Sequence, residues 1–537
     1  SSLIDPVVQE YIYHKGMYLR EPEFKPILRA KAIAFENAAG RDREVLDELG
    51  NTVLYGHPDA QAILTKIQVE NDRLLILRNT VEGERPAGFV SYREIGNEDL
   101  FGVLKDMELA NLVRGKSSRE ILLITGIYAR EDGTGDSGVI RDAPQQLLVE
   151  VLAKELEKNY SFALFVAERG TATKEVVYVL ERQGFIRPHM ADENDKRTIY
   201  MVDMHEPLMF LHNLDTTIKE PFASNPAVLD AVEKNHKKLQ IAMTKLYPGN
   251  LVLSLSSGIM YHRLVDRITA LNDVPREPLV PRRLGKNMCV PFGKILRGKV
   301  VPNTVTKTLH TDKVYEPDLN SFTIEPFPYY SPLKSQIETI KSFDRPVILV
   351  DDLLHSGNRI RALDPLFRQE GVVIDRVLVG LLSGRGRDLM AAKGRSVDSV
   401  YFIPNMRSWF VESTMYPFIG GDTVGHEEPS VPGLTPAVNL ILPYAFPRFY
   451  RECGREAVFR FSCACLENAR DILLALETTF RERYARNLTL SRLSEAVILP
   501  LSPDKGSCMH YDPSLPASVF LQNDLEMLLR MRNVLQS

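Results

Sequence analysis

Hydrophobic and polar positions change their period several times along this chain, and each change marks a different kind of element. Leu74-Leu75-Ile76-Leu77 and residues 87–92 are apolar runs separated by a turn at 81–86 that carries Gly and Pro, which predicts two paired strands. Residues 121–129 and 162–167 predict two more, and 198–202 a last one. Between them, Leu147, Leu148, Val151, Leu152 and Leu156 recur at helical spacing over 143–157, with Pro144 suited to a first turn. Residues 174–183 read as a helix stopped by Gly184. The first sixty residues read as helical and amphipathic through Ile27, Leu28, Ala32, Ile33 and Phe35.

Further on, Leu251-Val252-Leu253-Ser254 predicts a strand, followed by Leu255-Ser256-Ser257-Gly258 and a helix over 261–271. Val347-Ile348-Leu349-Val350 has the continuous apolar character of a strand buried on both faces. A helix over 360–369, a strand over 377–382, a helix over 388–393 and a strand over 399–402 continue the βαβ alternation of a parallel sheet. Residues 458–476, 487–499 and 521–534 carry helical periodicity. The expected organisation is an α/β multidomain chain. It has a helical leader over 1–60, a mixed-sheet domain over 61–215, a parallel-sheet domain over 220–430 and a mostly helical region over 433–537. Packing or homo-oligomerisation is the default role of the last.

Composition narrows the class. Hydrophobic residues at 44% and charged residues at 25% are ordinary for a globular protein. A formal charge of −4 argues against a surface that is basic all over, as a general nucleic-acid binder needs. Residues 432–447 lack charge but are broken by prolines, so no membrane span is expected. Five cysteines imply no disulfide framework, and Cys453, Cys463 and Cys465 lack a CxxC pair, which favours buried thiols over zinc. These features lead to the expectation of a cytoplasmic protein in a reducing compartment. The start at Ser-Ser, without Met, suggests a tag remnant or a segment of a longer polypeptide.

The densest candidate chemistry follows the 347–350 run. Asp351 and Asp352 stand at its carboxyl end, then His355-Ser356-Gly357-Asn358 and a helical pattern from Arg359. Open α/β sheets bind ligands at the carboxyl ends of their strands. A small loop ahead of a helix offers backbone N–H groups to a phosphate, while carboxylates accept from vicinal hydroxyls. The plain alternative is a capped helix with solvated aspartates. The run resembles the PRPP-binding signature of type I phosphoribosyltransferases at Asp351, Asp352, Ser356 and Gly357, and departs from it at Arg359, where that family has Thr. The resemblance implies ribose hydroxyls on Asp351 and Asp352 and the 5-phosphate on Ser356, Gly357, Asn358 and Arg359. It also implies His355 exchanging a proton with a small-molecule base, and Ser256, Ser257 and Gly258 on pyrophosphate. Mg²⁺ is implied beside Asp351 and Asp352, and Trp409 or Phe410 stacked on the base. The implied activity is phosphoribosyl transfer between PRPP and a nitrogenous base, with a non-catalytic PRPP- or nucleotide-sensing module as the alternative.

Two further patterns bear on function. Residues 281–310 hold Arg282, Arg283, Lys286, Lys294, Arg297, Lys299 and Lys307 without an acidic residue. Lys294 and Arg297 are candidates for a basic loop closing over pyrophosphate; a solvated loop or a nucleic-acid patch remain open readings. The element order over 60–215, with the helix that ends Val179-Leu180-Glu181-Arg182-Gln183-Gly184-Phe185, resembles the acyl-CoA-binding GNAT acetyltransferase fold. Where that family has its pyrophosphate loop, this chain has Arg130-Glu131-Asp132-Gly133-Thr134-Gly135-Asp136, whose carboxylates would repel pyrophosphate. The family's frequent general-acid Tyr is Leu180 here. The expectation is a degenerate or repurposed fold that binds acetyl-CoA weakly or not at all, with an active acetyltransferase as an alternative.

Overall fold

The computed structural model describes residues 33–80, 83–130, 142–168, 173–188, 197–279, 283–296, 299–327, 330–425, 434–445, 453–504 and 511–536. The chain opens with β1 (Ile33–Ala39), α1 (Arg43–Asn51), α2 (Ala60–Glu70), β2 (Arg73–Asn79), β3 (Arg85–Ile95), α3 (Leu100–Leu104), α4 (Met107–Lys116) and β4 (Ile121–Ala129). Next come α5 (Ala143–Glu155), β5 (Phe162–Glu168), α6 (Lys174–Arg182), β6 (Arg197–His212), α7 (Pro226–Leu246), β7 (Asn250–Ser256) and α8 (Ser257–Leu271). The middle holds β8 (Met288–Pro291), β9 (Val305–Thr306), β10 (Thr311–Tyr315), β11 (Phe322–Pro326), α9 (Leu333–Lys341), β12 (Val347–Leu354), α10 (Asn358–Gln369), β13 (Ile374–Ser383), α11 (Gly384–Ala392) and β14 (Val397–Ile403). Last are β15 (Ser408–Val411), α12 (Glu412–Met415), β16 (Asp422–Val424), β17 (Thr435–Val438), α13 (Arg455–Tyr484), β18 (Leu501–Pro503) and α14 (Ala517–Gln536).

The first sheet runs β1-β2-β3-β4-β5-β6-β15, with β7 also on β6. Its pairs are antiparallel up to β4 and again between β5 and β6. β4 and β5 are parallel and pair only from Ile121 to Ile124 against Phe162 to Phe165, after which they part. That element order agrees with the GNAT-like expectation. The leader expectation is corrected: Ile33 and Phe35 lie on β1, paired antiparallel with β2, and pack against the first core. Its side chains point to the two sides of the sheet, Ile33 and Phe35 onto the first core and Ala38 onto another cluster; Ile27, Leu28 and Ala32 lie outside the described residues.

The expected boundary near 215–220 is also corrected. β6 extends to His212, ten residues beyond the 198–202 run, and its second half pairs in parallel with both β7 and β15. The first core is likewise shared. Leu148 and Val151 of α5, Leu264 of α8, and Ile348 and Val350 of β12 belong to one buried cluster.

A five-stranded sheet ordered β14-β13-β12-β8-β9 is parallel throughout. A third sheet, β11-β10-β16-β17-β18, joins the β10–β11 hairpin to strands from the C-terminal region. That region is therefore not purely helical, and the helix expected over 487–499 is a short 3-10 turn at Leu490–Glu495. α13 buries Val458, Phe461, Cys465, Ala469, Ile472, Leu476 and Phe480, spaced along one helical face, in a second core with α7. Among the described residues no helix is long and apolar enough to cross a membrane.

Candidate functional site

β12 ends where the sheet's carboxyl edge opens into a cavity of about 490 Å³. Asp351 and Asp352 face it, exposed by only 3% and 5%. Short local bonds set them: Asp352 N donates to Asp351 Oδ1 at 2.8 Å, and Leu353 N to Asp352 Oδ1 at 3.2 Å. Gly357 ends the loop with φ 69°, which favours glycine, and a Cβ there would come within 2.1 Å of Leu389. α10 then starts at Asn358 with its N-terminus at the cavity, and Asn358 Nδ2 donates to Ser356 Oγ at 3.0 Å. His355, Ser356, Gly357, Asn358 and Arg359 all line the same space.

Arg359 spans the two carboxylates: its Nη1 donates to Asp351 Oδ1 at 2.8 Å and to Asp352 Oδ1 at 3.3 Å. Burial disfavours its charge, and the two carboxylates more than compensate. Burial pushes the Asp351 carboxyl well above the usual carboxylate range, against the pull of Arg359. Burial acts on Asp352 as well, but a hydrogen bond from Asp351 and the charges of Arg359 and Lys294 outweigh it, and Asp352 is held below that range. The two titrate as a pair in which Asp351 keeps a proton after Asp352 has lost its own. This donor set does not fit Mg²⁺, since a guanidinium sits where a cation shared by the two carboxylates would lie. His355 is lowered by burial and by Arg385, and its Nδ1 lies 2.9 Å from Ser383 Oγ.

The neighbouring parallel strand, β8, supplies the opposite wall. It ends at Pro291, and Phe292-Gly293-Lys294 turn past the aspartates; a Cβ on Gly293 would stand 2.0 Å from Asp351 Oδ1 and 2.9 Å from Asp352 Oδ1. Lys294 lines the cavity. Trp409 and Phe410 also line it from β15, though Phe410 is only 4% exposed and belongs to the second core.

The structure thus gathers Asp351, Asp352, His355, Ser356, Gly357, Asn358, Arg359, Lys294, Trp409 and Phe410 around one cavity. Ser256, Ser257 and Gly258 are not among them. Ser256 ends β7, which belongs to the other sheet, Ser257 and Gly258 open α8, and Ser256 lines a separate cavity beside His212 and His236. The basic segment is corrected as well. Met288, Cys289, Val290, Phe292, Ile295, Leu296 and Val301 are all buried to 3% exposure or less, so much of it is strand and core rather than a free loop. Arg282, Arg297 and the carboxylates Glu131, Asp132 and Asp136 lie outside the described residues.

Sequence reasoning missed the β10–β11 hairpin, which brings Lys313, Tyr315 and Phe322 to the cavity. Lys313 Nζ lies 4.2 Å and 4.3 Å from the Tyr315 and Phe322 ring centroids. The turn residues Pro317, Asp318 and Asn320 between two alternating runs were its signal.

No protein-family model and no curated protein matches the chain. Among solved structures, an acetyltransferase of the GNAT family from Desulfovibrio desulfuricans is similar at 12% identity and TM-score 0.23, covering 32% of this chain and 99% of that one. The catalytic domain of the Tetrahymena GCN5 histone acetyltransferase in complex with coenzyme A is similar at 10% identity and TM-score 0.22, covering 32% and 93%. FeeM, an N-acyl amino acid synthase from uncultured soil microbes, is similar at 16% identity and TM-score 0.22, covering 31% and 95%. Each of these likenesses covers about a third of this chain, and none of the three is to a phosphoribosyltransferase.

Proposed function

We propose that the cavity beyond β12 binds a phosphorylated ribose compound and serves phosphoribosyl transfer between PRPP and a nitrogenous base. The observation that supports this most is the meeting of Asp351 and Asp352 with the Ser356–Gly357–Asn358 loop at the N-terminus of α10. Vicinal hydroxyls donate to the ionised Asp352, and the 5-phosphate meets the loop amides and the helix dipole. With Asp351 protonated, Asp352 and Arg359 cancel in charge, so the acidic pair does not repel the phosphate beside it. Lys294 faces the departing pyrophosphate, Trp409 offers a ring to the base, and neutral His355 is free to accept its proton. In transfer the bond from ribose C1 to pyrophosphate oxygen breaks as the bond from C1 to the base nitrogen forms. The alternative within this reading is a non-catalytic sensor, favoured by Arg359 already occupying both carboxylates.

A second reading rests on the parting of β4 and β5. It opens a cavity of about 210 Å³ lined by His57, Asp72, Thr125, Tyr128 and Phe165, among others, and suits acyl transfer from an acyl-CoA. Burial pushes the Tyr128 hydroxyl up to about 12, which suits it to donate a hydrogen bond rather than to give up its proton.

One calorimetric series separates these. PRPP, a nucleoside 5-monophosphate and acetyl-CoA are titrated into the full chain and into Asp352→Asn, with and without Mg²⁺. The proposal expects saturable PRPP and nucleotide binding that Asp352→Asn weakens by roughly 1–3 kcal/mol. Nucleotide affinity is expected not to depend on Mg²⁺. Pyrophosphate release on adding a base distinguishes enzyme from sensor. Heat from acetyl-CoA alone, equal in both proteins, would overturn the proposal in favour of the acyl-transfer reading.

A further inference from the structure

His212, His236 and Glu412 form a second group of chemically active side chains, apart from the ligand cavity. His212 closes β6, His236 lies on α7, and Glu412 opens α12 directly after β15. Because β6 and β15 are parallel neighbours, His212 and Glu412 both leave carboxyl strand ends, where parallel sheets commonly hold ligands. Glu412 is fully buried, at 0% exposure. Nδ1 of His212 and Nδ1 of His236 each lie 3.1 Å from its Oε2. The two imidazole centroids are 2.9 Å apart.

We propose that His212, His236 and Glu412 bind a divalent first-row transition-metal ion, with zinc the best match, through the two Nδ1 atoms and Oε2. Donors about 2.0–2.2 Å from a tetrahedral zinc are about 3.3–3.6 Å from one another, close to the two Nδ1–Oε2 separations of 3.1 Å. Two imidazoles and a carboxylate suit zinc and its neighbours in the row, whereas Mg²⁺ and Ca²⁺ prefer all-oxygen sets.

Gln240 supplies an independent observation. Its Nε2 lies 3.1 Å from His212 Nε2 and 3.2 Å from His236 Nε2, while its buried Oε1 has no hydrogen-bond partner. The two ends of an amide are told apart only by their hydrogen bonds. Turned by half a rotation, Oε1 accepts from both Nε2–H groups, and the buried oxygen is satisfied. Both Nδ1 lone pairs then face the Glu412 carboxylate, an arrangement that a cation between them makes favourable. Gln240 thereby fixes the tautomer of both imidazoles, and Tyr416 Oη donates to Glu412 Oε1 at 3.2 Å, as outer partners of metal ligands do. His212 and His236 line a cavity of about 290 Å³ together with Arg182 and Lys237, which leaves room for water or a small anion as a further ligand.

The full chain, stripped with a chelator and dialysed, is loaded with Zn²⁺ or Co²⁺ alone. The expected results are one bound equivalent by elemental analysis and a visible d–d band from Co²⁺ with nitrogen and oxygen donors. His236→Gln and Glu412→Gln, shown to be folded by circular dichroism, are expected to lose the band and to bind Zn²⁺ more than about a hundredfold more weakly, beyond the loss of an outer partner. If Glu412→Gln fails to fold, His236→Gln and the wild-type spectrum decide. Absence of the band at saturating Co²⁺, or equal zinc binding in wild type and His236→Gln, would overturn the assignment. The closed hydrogen-bonded set would then stand without an ion.

Discussion

Two carboxyl groups buried side by side do not readily both ionise, and at the end of β12 the charge they carry is met by Arg359. Its guanidinium is within hydrogen-bond distance of both Oδ1 atoms. Arg359→Ala is therefore expected to destabilise the fold at neutral pH by about 3 kcal/mol, the usual scale for removing one partner of a buried ion pair. The sign of its pH dependence follows. Burial already raises the Asp351 carboxyl in the folded state, and without the cation that opposes it the carboxyl rises further above its ordinary value near 3.8. The folded variant then binds more protons than the unfolded chain, so its deficit shrinks as pH falls through the raised value. Urea unfolding near neutral pH and about two units lower checks this, and an equal deficit at both would contradict it. At this scale the sequence was legible from 351 to 359, because acidic pair, loop and helix start are contiguous and local bonds fix their geometry. Ser256–Gly258 misled because a strand, a Ser-Ser-Gly turn and a helix look alike whichever sheet the strand joins. The partners of β7 lie on β6, far away in sequence, and no local pattern reports them.

Among the elements, β8 shows best what the sequence concealed. It is only four residues long and sits inside the most basic stretch of the chain, so its charges drew attention from its buried apolar positions. Yet it is the strand beside β12, and the turn after it passes so close to the aspartates that a side chain has no room. Gly293→Ala is expected to push that turn and Asp351 apart. The expected outcome is loss of ligand binding by about tenfold or more, roughly the 1.4 kcal/mol scale of one good hydrogen bond, with near-native circular dichroism. Calorimetry of PRPP binding to the variant measures it; unchanged affinity would remove this turn from the site. Longer elements such as α5, β4, β5 and α13 were legible because each carries its own period over enough residues to override local propensity.

On the scale of the whole molecule, the expected division near residue 215 fails, because β6 is shared. Its second half is paired by β7 and β15, and the buried cluster continues from α5 through α8 to β12. A fragment of residues 220–537 would expose Leu251, Val252 and Leu253, each at 0% exposure in the full chain, along an unpaired strand edge. Such a fragment is expected to aggregate or give a collapsed amide spectrum, whereas the full chain stays soluble. A well-dispersed spectrum from the fragment would show that the halves fold independently. The central claim concerns the cavity that this shared architecture builds between β12, β8, the β10–β11 hairpin and β15. The most direct test is a crystal of the full chain soaked with PRPP. The account predicts density for the ribose against Asp351 and Asp352 and for the 5-phosphate at the amides of Ser356, Gly357 and Asn358. An empty cavity at saturating PRPP, or PRPP bound elsewhere on the chain, would contradict it.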